Sequence, residues 1–313
     1  MHAVFELQAH RGARGLKPEN TFASFEIAFD VGVSAVETDV HLSRDGVPIL
    51  VHDAVISDEI FQLIEGKACP PPGIGLPVSS LSLEQLRSYR ANRNPDPRRF
   101  PAQNADVPPL ATLFSSQRNL DPFTPPALLD LFEFVSSYGG ELGRQAGKTP
   151  EQQRQARRVR IDLELKRVPF RPERINDDFD GEHPGLLERE VAKAIRSADA
   201  MALTSVRSFD HRSVRAIKQL EPGLATAVLV TGTAPVDLGS LVRSAGAQTY
   251  CPDYLFLDEA QVREAHHEGI RVIPWTVNDP SDCLRLLDWG VDGVTTDFPD
   301  RIGALLHERG IQF

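Results

Sequence analysis

Short apolar runs of β type alternate with stretches of helical periodicity along most of the chain. The β-type runs fall at residues 4–9, 34–42, 47–52, 159–165, 202–206, 224–230, 271–276 and 292–296. Between them, apolar positions three and four apart predict helices over 21–31, 127–138, 186–197, 211–220, 258–268, 279–287 and 299–309. Alternating strand and helix units of this kind build parallel sheets. Their number predicts an α/β fold of the (β/α)8 TIM-barrel type, which typically needs ~250 residues and more with insertions.

The chain has 313 residues, so the excess over a minimal barrel needs a place. Residues 53–107 carry "KACPPPGIGLP" and "NRNPDPRRFP", a composition that suits a loop-rich insertion following the early His52-Asp53 pair. The expected organisation is a single barrel domain over 1–313 with that insertion inside it. The polar stretch 139–158 reads as a long, solvated helical connection.

Composition excludes several classes. A hydrophobic content of 41% and a charged content of 25% are those of an ordinary globular protein. A formal net charge of −10 argues against a nucleic-acid partner, which calls for a basic surface. Cys69, Cys251 and Cys283 are too far apart for a zinc or disulfide pattern and read as inert thiols. Neither a membrane-spanning run nor a signal-peptide pattern is visible, so the expected location is cytoplasmic without stable membrane insertion. The oligomeric state is left open.

In a barrel of this type, chemistry sits where strands end. His10 and Arg11 stand just past the first predicted strand, and a guanidinium fork there suits a phosphate. In "VETDVHLSRDGVPILVHD", Glu37 and Asp39 lie two apart on a strand and therefore share a face. Paired carboxylates repel unless a cation lies between them, which points to a hard divalent ion such as Mg²⁺ or Ca²⁺. Asp45-Gly46 signals a two-residue hairpin that pairs Arg44 with Val47 and, counting outward, Asp39 with His52. That register also pairs Val40 with Val51 and Leu42 with Ile49. In "RIDLELKR", Asp162, Glu164 and Lys166 share one strand face; beside a dicarboxylate site, Glu164 supplies a third ligand and Lys166 a second phosphate cation.

Other features suggest no chemistry. His2, His41, His183, His211, His307 and the His266-His267 pair lack convergent partners. "NDDFDG" imitates a calcium loop, but its twelfth position is Leu187 rather than Glu. Asp297, at the end of the last strand, reads either as a cap for the next helix or as an acid that orients the site.

"AHRGARGLKPENTFASF", "VETDVHLSRDGVPILVHD", "LELK", "VRSFDH", "VIPWTVND" and "GVDGVTTDFPD" resemble, in order, the motifs of the glycerophosphodiester phosphodiesterase family. The likeness is dense over 4–53 and 271–301. It implies a TIM-type barrel that uses a divalent metal to hydrolyse small glycerophosphodiesters to glycerol 3-phosphate and an alcohol. By the same resemblance His10 and His52 form the acid/base pair, Arg11 and Lys166 contact phosphate, and Glu37, Asp39 and Glu164 hold the metal. Glu19 and Asn20, from the PENT segment, support the site, Thr21 caps the next helix, and Trp275 is similar to the family's aromatic near the glycerol end. Two departures stand out. Arg14 takes the place of a smaller residue, and "AVISDEIFQLIEGKACPPPG" replaces the usual threonine-rich continuation after His52-Asp53, on the side of the leaving alcohol.

The alternatives are the same site acting on lysophospholipids as a phospholipase D, and a non-catalytic barrel that only binds phosphate esters. Presence of both histidines and all three carboxylates speaks against the second, because a binding module needs no acid/base pair.

Overall fold

A computed structural model of the chain describes residues 4–65, 75–233 and 235–313. At its centre are eight parallel strands: Glu6–Ala9, Ala35–Leu42, Arg160–Leu165, Thr204–Ser208, Ala225–Val230, Thr249–Pro252, Arg271–Val272 and Gly293–Thr296. The first seven pair in chain order, and the eighth lies beside the first, with Glu6 opposite Gly293 and Ala9 opposite Thr296. The last seam is joined by backbone hydrogen bonds from Asp292 to Val272 (2.9 Å) and from Thr295 to Pro274 (3.0 Å). This is the expected barrel, but one of its strands was misidentified. The run at 47–52 lies off the barrel, while Thr249–Pro252 belongs to it; with four residues ending in Pro, that strand lacks the β-branched run that would announce it.

Alternation along the strands separates two environments. Leu7, Val36, Val40, Ile161, Leu163 and Val206 point outward into the helices. There they meet the buried rings of Phe22, Phe114 and Phe134, whose centroids lie 5.0–5.2 Å apart. Inside, the barrel is divided. Ala227, Leu229, Cys251 and Ile273 form a small apolar cluster on the side of the fifth to seventh strands. The opposite side is a polar lattice in which Gln8 bonds to Glu6 (2.7 Å), Asp162 (3.2 Å), Arg207 (3.2 Å) and Thr295 (2.7 Å). Buried polar groups persist only when partnered in this way.

The hairpin after the second strand differs from the expected one by a single residue. Val40 pairs with Leu50, and Leu42 with Pro48. Val51 N–H donates to Asp39 O (3.2 Å), so Asp39 stands opposite Val51 rather than His52. A two-residue type I′ turn needs positive φ at both central residues. Only Gly46 has it here, at φ 79. The chain therefore makes a three-residue loop, with Ser43 N–H bonded to Val47 O (2.9 Å) and Gly46 N–H to Ser43 O (3.0 Å). The Ser43 side chain favours this loop by accepting from Val47 N–H (2.8 Å) and donating to Asp45 (2.7 Å).

After the hairpin, Val55–Ile56 pairs with Leu76–Pro77 and Phe61–Leu63 with Tyr89–Ala91. Ile49, Val51, Ile56, Phe61, Val78 and Leu86 form an apolar cluster separate from the main core. Cys69 and His2 lie outside the described residues. The 139–158 connection is not one solvated helix. It is divided into Glu141–Gln145 and Pro150–Ala156 at Gly147, which takes a left-handed φ of 82 just before Pro150. Between them Lys148 is buried, with Glu26 at 2.6 Å and Asp30 at 2.7 Å.

Candidate active site

The C-terminal ends of the strands gather the charged residues. Directly after the first strand, Arg11 adopts a left-handed φ of 52, a conformation rare outside glycine. This turns its N–H onto Glu37 (3.0 Å) while its guanidinium reaches Glu19 (2.9 Å) and Asp39 (3.2 Å). The next residue has to be glycine, because a Cβ on Gly12 would lie 2.4 Å from the Ser24 hydroxyl. Arg14, the unusual residue of this segment, does not face water; it pairs with Glu19 at 2.6 Å. Asn20, also left-handed at φ 54, donates to Asp39 (2.9 Å) and accepts from Thr38 (2.7 Å). Thr21 then caps helix Phe22–Val31 through Ser24 N–H (3.2 Å).

Parallel pairing sets Asp39 beside Glu164, so two strands bring three carboxylates together. One oxygen from each of Glu37, Asp39 and Glu164 lies within 4.8 Å of the others. Burial and then the neighbouring Asp39 push the Glu37 carboxyl above the usual carboxylate range. Burial opposes ionisation of Asp39 as well, yet Arg11 and Lys166 hold it well below the usual carboxylate range. Glu37 Oε1 and Asp39 Oδ1 are buried without a hydrogen bond; their nearest cations are Arg207 at 3.3 Å and Lys166 at 3.4 Å. Lys166 lies 2.7 Å from Glu164. Unsatisfied carboxylate oxygens in an all-oxygen set fit a hard divalent cation, which would relieve both the repulsion and the missing bonds.

The two histidines approach from different sides. His10 Nδ1 is 2.6 Å from Asp297, and its Nε2 faces Glu37 at 3.8 Å. A carboxylate only accepts, so Nδ1 carries the proton and Nε2 presents a lone pair. Burial, followed by Arg11, pushes the His10 imidazole down to about 4 against the opposing pull of Asp297. His52 does not arrive by strand pairing. The chain bends after Val51, with His41 Nε2 3.1 Å from His52 O and His52 Nδ1 2.7 Å from Asp53. The bend delivers His52 to a cavity of about 230 Å³ whose walls include His10, Arg11, Glu164, Lys166 and Trp275. Trp275 donates its indole N–H to Cys251 O (2.8 Å) and meets Phe209 edge-on at 5.4 Å.

Four contributors were not foreseen from the sequence. Arg207, buried on the fourth strand, binds Asp162 at 3.1 Å and Glu37 at 3.3 Å. Its signal was present in the alternation of Ser205, Val206 and Arg207, which aims two polar side chains into the barrel. Arg99 and Asn278 both bond to Asp297 Oδ2, at 2.8 and 2.7 Å, and Phe209 walls the cavity. Phe209 and Asn278 lie within the motifs VRSFDH and VIPWTVND but no role was assigned to them, and no local pattern marks Arg99. Asp297, left open above, orients His10. Of the histidines set aside, His211 and His266 have structural partners in Leu229 O (2.8 Å) and Asp292 (2.9 Å).

A barrel that gathers three buried carboxylates, two histidines and a set of cations around one cavity has the form of a phosphoric ester hydrolase. The comparisons specify the family. The model of the glycerophosphoryl diester phosphodiesterase family matches residues 10–301, and the chain belongs to that family of enzymes. A glycerophosphodiester phosphodiesterase of Caldanaerobacter subterraneus subsp. tengcongensis is 23% identical over 96% of this chain and 98% of its own length. A Bacillus subtilis glycerophosphodiester phosphodiesterase is 25% identical over 93% of this chain and 83% of its own. Among solved structures, a Silicibacter pomeroyi protein described as a glycerophosphoryl diester phosphodiesterase superposes with a TM-score of 0.78 at 26% identity, covering 100% of this chain and 96% of its own. An Oleispira antarctica phosphodiesterase, solved with the product sn-glycerol-3-phosphate, gives 0.69 at 24% identity over 97% of both chains. No helix among the described residues is long and apolar enough to cross a membrane.

Proposed function

We propose that this protein hydrolyses small glycerophosphodiesters to glycerol 3-phosphate and an alcohol, with a divalent cation held by Glu37, Asp39 and Glu164. The observation that carries the reading is the convergence of these carboxylates within 4.8 Å beside the cavity shared by His10 and His52. The product bound by the Oleispira relative supports the substrate class.

A bound Mg²⁺ or Ca²⁺ would supply charge neutralisation at the phosphoryl oxygens. Arg11 and Lys166 add to this from the chain itself, lowering the cost of charge that builds on phosphorus-bound oxygen. Overall, water adds across the bond between phosphorus and the leaving oxygen: hydroxide character goes to phosphorus and the proton to the alcohol. One imidazole accepts a proton from the nucleophile and the other donates one to the leaving oxygen. His10 is built for acceptance, since Asp297 directs its Nε2 lone pair inward. His52, next to the insertion and the leaving-alcohol side, is then the donor. Glu19 and Asn20 hold Arg11 and Asp39, and Trp275 walls the glycerol side.

The test is release of glycerol 3-phosphate from glycerophosphocholine, measured beside choline release from lysophosphatidylcholine. Chelation is expected to abolish activity and added Mg²⁺ or Ca²⁺ to restore it. Full activity after exhaustive chelation would remove the three carboxylates from the metal role, and choline release alone would transfer the site to lysophospholipids.

A further inference from the structure

A second and larger cleft, about 940 Å³, opens beside the reaction cavity, and the two share His52, Glu164, Lys166 and Phe209 as a common wall. It runs between the hairpin and insertion on one side, from Arg44 and Asp53 to Ser80, and the loop that follows the third strand on the other. Because His52 stands at the junction, a phosphodiester bound with its glycerol end toward Trp275 extends its other ester arm into this cleft.

The cleft is cationic in a protein of net charge −10: Arg44, Lys166, Arg167, Arg171 and Arg174 face only Asp53, Glu164 and Glu173. Local partners account for most of this charge but not for all of it. Arg167 is fully engaged by Asp177 and Glu188, at 2.5 and 2.6 Å. Lys166 serves Glu164, and Arg171 lies 3.7 Å from Glu173. Arg44 gives a single side-chain bond, to Ser80 O (3.2 Å), and forms no ion pair within 4 Å among the described residues; its neighbour Asp45 turns one oxygen to the Ser43 hydroxyl (2.7 Å) and Leu83 N–H (3.0 Å). Arg174 has no ion pair among the described residues. Asp53, the acid on the facing wall, is bound to His52 at 2.7 Å. Val55, Val168, Pro169 and Phe209 supply apolar wall between these charges.

We infer that the cleft receives the leaving alcohol and selects one that carries a phosphate or phosphodiester charge of its own, bound by Arg44 and Arg174. A guanidinium lacking a carboxylate partner presents its planar donors to such a group, and the apolar wall packs against the carbon skeleton between the two phosphates. A trimethylammonium group would meet like charge in the same place.

This inference rests on the diesterase reading, and the experiment separates the two. Initial rates of glycerol 3-phosphate release are compared, at low ionic strength, for bis(glycerophospho)glycerol, glycerophosphoglycerol and glycerophosphocholine. Their leaving alcohols are anionic, neutral and cationic. Corrected for its two equivalent ends, bis(glycerophospho)glycerol is expected to lead glycerophosphocholine in kcat/KM by about tenfold, with a margin that narrows as salt rises. The Arg44→Gln/Arg174→Gln double variant should lose the margin as KM rises for bis(glycerophospho)glycerol and falls for glycerophosphocholine, while kcat on glycerophosphocholine stays unchanged. Equal kcat/KM for the three substrates, or a margin that survives in the double variant, would overturn the inference and leave the diesterase reading intact. If none of the three diesters is hydrolysed by the metal-supplemented protein, the diesterase reading falls and this inference falls with it.

Discussion

Asp297 has two oxygens with different tasks. One accepts from His10, and the other accepts from Arg99 and Asn278. An amide at this position must turn its oxygen to those two donors and its NH₂ to His10, which reverses the imidazole tautomer. Asp297→Asn is therefore expected to lower kcat by about 10²–10⁴-fold with little change in KM. A variant with wild-type turnover would show that the tautomer does not matter. On the proposed mechanism the two histidines act in the same turnover, so His10→Ala and His52→Ala should each cost about as much, and together far less than the product of the two.

A third histidine bears on stability. His41 is buried, and burial pushes its imidazole down to about 4. In the unfolded chain it titrates near ~6.5. Between those values the unfolded state takes up a proton that the folded state refuses, so stability falls as pH drops through that window and is fully present above it. Urea unfolding should show roughly 2 kcal/mol of loss between pH 7 and pH 5 that His41→Gln removes from the slope. Identical slopes in both proteins would refute this.

At the scale of elements, much of the barrel was legible because alternation and helical spacing are local properties. What was not legible depended on partners. The register of the hairpin turned on the Ser43 side chain and on Asp45 declining positive φ, and a one-residue slip of this kind is invisible to a count outward from Asp45-Gly46. Glu26 is a second instance. On the sequence it is one polar position in helix Phe22–Val31, yet it is buried and accepts from Leu110 N–H (3.0 Å) and Ala111 N–H (2.7 Å), capping a helix whose own Pro108 cannot. Lys148 completes the pair at 2.6 Å. Glu26→Ala leaves the two N–H donors of that helix unpaired and the buried Lys148 ammonium with Asp30 alone, and is expected to cost about 3 kcal/mol in denaturant unfolding. Adding Lys148→Met should recover only the part of the loss that comes from the ammonium, since Asp30 keeps the Tyr138 hydroxyl while the helix N–H donors stay uncapped. Additive losses would contradict the pairing.

For the molecule as a whole, the insertion takes part in the site. Arg99 crosses from the segment after Tyr89–Ala91 to Asp297, beyond the last strand, and its guanidinium lies 5.1 Å from the centre of the Phe100 ring, itself 6.0 Å from Phe298. Arg99→Ala is expected to lower kcat roughly tenfold, less than Asp297→Asn does, because Asn278 still holds the same oxygen. Arg99→Lys should restore part of the rate. Full activity in the alanine variant would mean that the bridge is structural only.

The sequence by itself determined which residues could carry the chemistry. His10 and Arg11 follow the end of one strand, Glu164 lies near the end of another, and strand periodicity alone puts Glu37 and Asp39 on a shared face. It also determined the alternation from which the barrel follows. Only the tertiary structure decided how His52 reaches the site, since the bend after Val51 is fixed by His41 and Asp53 rather than by pairing. The tertiary structure alone likewise joined Arg99, Arg207, Asn278 and Asp297 to His10 and Glu37. Those contacts span as many as 287 residues between Asp297 and His10. Periodicity reports which face a side chain takes on its own element; barrel closure decides which other faces it meets.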